Sequence, residues 1–204
     1  LGNSPLVTLR LSLPGGRVLE RPAQLGLATL TAELLEEGTT ALSTTELTEQ
    51  LDALGANLWV RADDDELHVT LTALARHLPA AADLLADVLF EPRLARADFE
   101  RLQTLRLAAI DGRADQIQSL AADAWQRLIH GGGPLGAPAL GTAASIAALT
   151  RDDAARHHQR AVHAPAARLT LVGDLGAEQA RQIFRSLRER LGAALEVRFV
   201  GDYW

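Results

Sequence analysis

Three histidines crowd a short segment, and imidazole is the side chain most often found on zinc. His157, His158 and His163 form the densest set of metal-type ligands in the chain. The gap of five between His158 and His163 sets them well apart in angle on a helix, and Ala164-Pro165 ends that helix. The spacing therefore reads as exposed or capping histidines at a helix C-terminus, where positive charge suits the dipole. Asp63, Asp64 and Asp65 invite calcium, but they lack the glycine and distal glutamate of an EF-hand loop and read as a solvated turn. Gly131, Gly133 and Gly136 spell G-x-G-x-x-G, the letters of a dinucleotide fingerprint. That fingerprint needs a strand before it and a helix after it; here a helix precedes and Pro134 intrudes. Asp111 and Asp115 stand at helical spacing and read as a solvated pair. No Walker lysine and no Gly-x-Ser-x-Gly elbow occurs. Glu33, Glu36 and Glu37 close a helix with charge that opposes its dipole, an unfavourable placement that marks the segment.

The elements that must carry these residues follow from periodicity. Residues 6–13 alternate, with Val7, Leu9, Leu11 and Leu13 on one face and Thr8, Arg10 and Ser12 on the other, as in a half-buried strand. A helix is expected from Pro22 to Glu37, stopped by Gly38, and a second from a capping box at Ser43 and Glu46. Residues 57–62 and 66–74 flank the three aspartates as an antiparallel hairpin. Helical spacing returns over 79–90, over 98–130 with a break near Gly112, over 150–162 and over 177–191. Residues 131–141 form a Gly/Pro loop, 168–172 a strand and 195–200 a final strand. Hairpins mixed with crossovers predict an α+β fold: a mixed, largely antiparallel sheet covered by helices on one face.

Composition narrows the function classes. The 204 residues are 48% hydrophobic and 23% charged, the profile of a globular domain. The absence of cysteine excludes thiolate chemistry and cysteine-ligated metal. A net charge of −6 argues against nucleic acid and anionic membrane as partners. No apolar run reaches the roughly 18 residues of a membrane span, so no membrane insertion is expected. The chain begins at Leu1 and lacks methionine, which suggests a fragment of a longer chain. Composition and spacing alone name no activity.

A resemblance adds one. The segment Gly26-Leu-Ala-Thr29-Leu-Thr-Ala32-Glu33-Leu-Leu-Glu-Glu-Gly38-Thr39 resembles the zinc-helix segment of the M16 metallopeptidases, the family of pitrilysin, insulin-degrading enzymes and mitochondrial processing peptidases. Residues 43–55, the strand pair 59–74, Glu91-Pro92 with Asp98-Phe99, the loop 133–142, and Ala164-Pro165 before residues 169–174 resemble further family segments in the family's order. The likeness covers about residues 5–175 and implies one α/β repeat over 1–204.

Active members of that family hold zinc with the two histidines of His-x-x-Glu-His, and the glutamate activates water. By resemblance the first histidine position is Thr29, the general-base position Ala32 and the second histidine position Glu33; the distal glutamate falls near Ala108 and Ala109. The implied reading is a noncatalytic copy with no metal or cofactor of its own, zinc being expected only in a partner domain. That partner is a catalytic M16 domain, in cis or in trans, with peptide substrate in the shared chamber. The sheet face bearing His68, Thr70 and Thr72, and the loop with Gly133, Gly136 and Gly141, are expected to approach partner or peptide. Many such halves bind substrate backbone through an Arg and a Tyr; Arg198 and Tyr203 lie beyond the likeness, so those roles do not carry over. The alternatives are a purely structural assembly subunit, or a metallopeptidase whose metal moved to His157, His158 and His163. Family resemblance favours the periplasm over the cytoplasm.

Overall fold

The computed structural model describes residues 5–113, 115–162, 166–191 and 195–196. Five strands form one sheet in the order β2-β3-β1-β4-β5. The central strand β1 (Leu6–Pro14) pairs antiparallel with β3 (Glu66–Leu74) on one side and β4 (Ala167–Gly173) on the other. At the edges, β2 (Asn57–Ala62) runs antiparallel to β3, and β5 (Leu195–Glu196) runs parallel to β4. This is the α+β architecture expected, a mixed and mainly antiparallel sheet.

Alternation decides which face is covered. Val7, Leu9, Leu11 and Leu13 are fully buried on one face, joined by Leu67, Val69, Leu71 and Ala73 of β3 and by Val60 of β2. Fully burying each of the larger of these side chains contributes about 1.5–3 kcal/mol. The helices α1 (Leu27–Leu35), α3 (Leu78–Phe90) and α7 (Arg151–Val162) pack against this layer, on β2, β3 and β1 respectively. Between α1 and α3 lies α2 (Thr44–Ala53), opened by the Ser43–Glu46 capping box. Helices α4 (Arg96–Arg113) and α6 (Ala143–Ala148) pack on one another, and α4 also meets α1. Helix α8 (Ala177–Leu191) lies on α3, with Ile183 and Leu187 buried between them.

Three expectations change. The helix expected from Pro22 is instead a 3-10 turn at Pro22–Gln24, and α1 starts at Leu27. Gly26 separates them with φ +86, a left-handed backbone that a continuous helix cannot contain. The long helix over 98–130 is two helices, α4 and α5 (Ile117–His130), and Gly112 lies inside α4 rather than at the break. Helix α6 follows a Thr142–Ser145 capping box in a stretch too short to show a period. Of the final strand expected over 195–200, residues 197–200 lie outside the described residues, as do His163, Ala164, Pro165, Arg198 and Tyr203.

Candidate functional site

The chemistry of the first helix is decided by what surrounds Thr29, Ala32 and Glu33. Ala32 is 2% exposed and packs into the core, so no acid or base reaches solvent from that position. Thr29 and Glu33 lie one turn apart and face α4. Between them sits the guanidinium of Arg106, a side chain only 3% exposed. Its Nη1 donates to Thr29 Oγ1 at 2.8 Å, and its Nη2 lies 2.7 Å from Glu33 Oε1, off the line of a hydrogen bond. Thr29 Oγ1 in turn donates to the carbonyl of Ala139 at 2.9 Å. A fixed organic cation thus joins α1, α4 and the Gly/Pro loop. These residues do not fit a zinc ion: imidazole is lacking, the only carboxylate faces a guanidinium, and a buried positive charge already stands beside it.

A second buried arginine anchors the other end of the loop. Arg17 is 6% exposed; its Nη1 meets Asp64 at 2.8 Å, and its Nη2 donates to the carbonyls of Pro134 (3.0 Å) and Ala137. The backbone carbonyls of Asp63, Asp64 and Asp65 accept from the N–H groups of residues 15–18. The acidic turn is therefore docked, and an open cleft of about 390 Å³ remains between Arg17, residues 62–65 and Ala139. Glu20 is buried at the entry to α1 and accepts from the N–H groups of Ala28 and Gly26. Burial pushes its carboxyl above the usual range; those two hydrogen bonds and the charges of Arg17 and Arg106 pull the other way.

The loop glycines divide. Gly133 is exposed, whereas Gly136 and Gly141 are buried. A Cβ on Gly136 would lie 1.9 Å from the carbonyl oxygen of Gly131. One on Gly141, at φ +81, would lie 2.3 Å from that of Leu25. Both let strands of backbone pass at contact distance.

On the uncovered face of the sheet, register brings the other predicted residues into one array. Thr72 stands opposite Thr8, Thr70 opposite Arg10 and His68 opposite Ser12. Each pair is bonded: Thr8 Oγ1 to Thr72 Oγ1 at 3.1 Å, Arg10 Nε to Thr70 Oγ1 at 3.3 Å, Ser12 Oγ to His68 Nδ1 at 2.9 Å. Trp59 of β2 flanks Thr70 on the other side. His68 Nε2 donates to Asp63 Oδ2 at 2.7 Å, which ties the face to the acidic turn. Burial pushes the Asp63 carboxyl up, but hydrogen bonds from the Glu66 N–H, the His68 ring and the Asp65 N–H outweigh it, leaving Asp63 below its usual range.

The histidines of α7 are a correction. His157 and His158 are 1% and 7% exposed, not surface or capping groups. They diverge: His157 Nε2 donates to the carbonyl of Gly15 at 2.8 Å and His158 Nε2 to that of Leu89 at 2.6 Å. Burial holds the His157 imidazole below its ordinary value. Among the described residues, no three His, Cys, Asp or Glu side chains converge on a possible metal site. The carboxylates that end α1 are partnered. Glu36 accepts from Val60 N–H at 2.5 Å and Arg61 at 3.2 Å, and burial raises its pKa. Glu37 pairs with Arg101 at 2.5 Å. What sequence reasoning missed is the pair of buried arginines. Only Arg106 carries a sequence signal, a single charge between Leu102 and Ile110 in an apolar helical stripe, whereas Arg17 opens a three-residue turn with no such pattern.

The sequence profile of Insulinase (Peptidase family M16) matches residues 2–142, well over half of the chain. The chain belongs to peptidase family M16. Two curated M16-like relatives stand out. A protein of Helicobacter pylori called non-peptidase homolog YmxG is 29% identical over 175 residues, which is 86% of this chain and 40% of that protein. An uncharacterized zinc protease of Mycobacterium tuberculosis is 30% identical over 135 residues, 66% of this chain and 31% of that protein. In fold, the chain is similar to a solved peptidase M16 inactive domain from Pseudomonas fluorescens, with a TM-score of 0.86 at 24% identity, over 97% of this chain and 48% of the other. The chain spans less than half the length of each of these three. Of these three, one is called a non-peptidase homolog and one an inactive domain; by resemblance this chain carries Thr29, Ala32 and Glu33 at the motif positions, and none of these is an imidazole.

Proposed function

We propose that this M16 domain binds no catalytic metal and pairs with a zinc-bearing M16 domain, in cis or in trans, to enclose a peptide chamber. The observation that carries the reading is Arg106, whose guanidinium spans Thr29 and Glu33 and makes the helix a structural joint. A helix relieved of catalysis still holds the loop 131–141 in place, through Thr29 and Ala139. The open sheet face then serves as chamber wall. Its hydroxyls, imidazole and Trp59 offer hydrogen-bond partners and an aromatic surface to an extended peptide. Gly133, on the exposed part of the loop, approaches the partner, while Gly136 and Gly141 shape the loop behind it. The proposed compartment is the periplasm.

The test mixes the purified chain with a zinc-bearing M16 domain from the same source and a fluorescent peptide. The expected result is a stable complex that binds peptide more tightly than the zinc domain alone, with the gain reduced by Thr72→Val. A complex with no added peptide affinity would instead make the chain a structural subunit.

A further inference from the structure

Strand β2 ends the sheet on one side, so one row of its backbone groups faces away from the ladder. The hairpin decides which residues form that row. Asp63 N–H donates to the Glu66 carbonyl at 3.0 Å, and the same register continues through Arg61 opposite His68, Trp59 opposite Thr70 and Asn57 opposite Thr72. Antiparallel ladders alternate bonded and non-bonded pairs, so the odd-numbered residues of β2 exchange bonds with β3. Leu58, Val60 and Ala62 turn their N–H and C=O groups outward.

At Val60, the middle of that row, both groups are taken by side chains of this chain. The N–H donates to Glu36 Oε1 at 2.5 Å, and the carbonyl accepts from Arg61 Nη1 at 2.7 Å. The same two side-chain atoms lie 3.2 Å apart, so carboxylate and guanidinium also bond each other. Glu36 is the C-cap residue of α1, and α1 packs on β2. A carboxylate there opposes the helix dipole. The placement costs the helix, and what it serves is the strand.

We infer that Glu36 and Arg61 form a clip that closes the outer edge of β2 to strand addition. A strand joining this edge would bond Leu58, Val60 and Ala62 in turn, and a residue such as Val60 offers it one donor and one acceptor. The clip occupies both and sets a charged pair where the incoming backbone would run. Charge commonly guards an exposed edge; here the charged groups also bond the edge backbone itself. Arg61, 65% exposed, is the looser half, whereas Glu36, 32% exposed, is fixed by the helix. The inference deepens the chamber reading, on which its meaning rests: peptide meets the hydroxyl-bearing sheet face and does not extend the sheet at β2. Its test needs no zinc-bearing domain, so either can fail without the other.

The probe is a short fluorescent peptide of alternating threonine and valine, titrated against the intact chain up to about 100 μM and read by anisotropy. The unaltered chain should show no saturable binding, and Glu36→Ala combined with Arg61→Ala should bind at least about tenfold more tightly. The same peptide N-methylated at alternate residues lacks the donors of a ladder and should not bind the variant. Hydrogen exchange reads the clip in the unaltered chain, whether or not the variant folds. The Val60 amide should exchange at least about tenfold more slowly than those of Leu58 and Ala62, relative to their unfolded rates. Equal peptide binding by both chains, a folded variant that gains none, binding indifferent to N-methylation, or a Val60 amide as fast as Leu58 would each overturn the inference.

Discussion

The two faces of the sheet are made from alternate residues of the same strands, and they place different demands on those residues. On the covered face, Leu9, Leu11 and Leu71 are fully buried, and among the helices that cover it the buried Arg106 and His157 bond to segments far away in sequence. On the uncovered face, Thr8, Thr72, Arg10, Thr70, Ser12 and His68 bond one another across the strands; Arg10 is exposed, Thr8, His68 and Thr72 are half-buried, and Thr70 and Ser12 are buried beneath them. The first arrangement resists change because removing one group leaves a void or an unpaired donor. The second tolerates change in stability, which leaves its residues available for recognition.

The contrast can be broken at graded cost. Leu11→Ala leaves a cavity in the sheet centre and should lower unfolding free energy by about 2–5 kcal/mol, measured by urea denaturation. Arg106→Met removes the joint between α1, α4 and the loop. Glu33 is 41% exposed and stays solvated, so the expected loss is smaller, about 1–3 kcal/mol. Hydrogen exchange should quicken around residues 137–141 in that variant while β1 and β3 stay protected.

His157 makes the covered side of the sheet sensitive to pH. Its folded-state pKa lies below the ordinary value of 6.5, with burial the main cause. The unfolded chain therefore takes up a proton first as pH falls. Stability from this residue is present above about 6.5 and is lost on acidification from there down through the depressed folded value. His157→Asn should flatten that part of the stability–pH curve, measured by denaturation between pH 5 and pH 7.5. The smallest effect belongs to the open face: Thr72→Val should change stability by no more than about 0.5 kcal/mol. Its consequence should appear instead in peptide binding by the assembled pair.

Local patterns made the frame legible. Alternation in residues 6–13 and 66–74, the Ser43–Glu46 box and the amphipathic period of 177–191 correspond to β1, β3, α2 and α8. Those signals need only neighbours a few residues away. The histidines of α7 show why other features stayed hidden: their acceptors, Gly15 and Leu89, are 142 and 69 positions distant. A polar residue looks the same in sequence whether it caps a helix or donates inside the core. Arg106 is the same case, since its partners Thr29 and Glu33 lie more than seventy positions upstream. The motif positions rest on the family resemblance: with Thr29, Ala32 and Glu33 aligned there, the segment offers no imidazole wherever the helix packs.

Metal analysis of the purified chain checks the proposed absence of a catalytic metal. After equilibration with excess zinc and gel filtration, far less than one zinc per chain is expected, with no hydrolysis of a peptide library. One tightly held zinc per chain, released together with activity by Glu33→Ala, would contradict it.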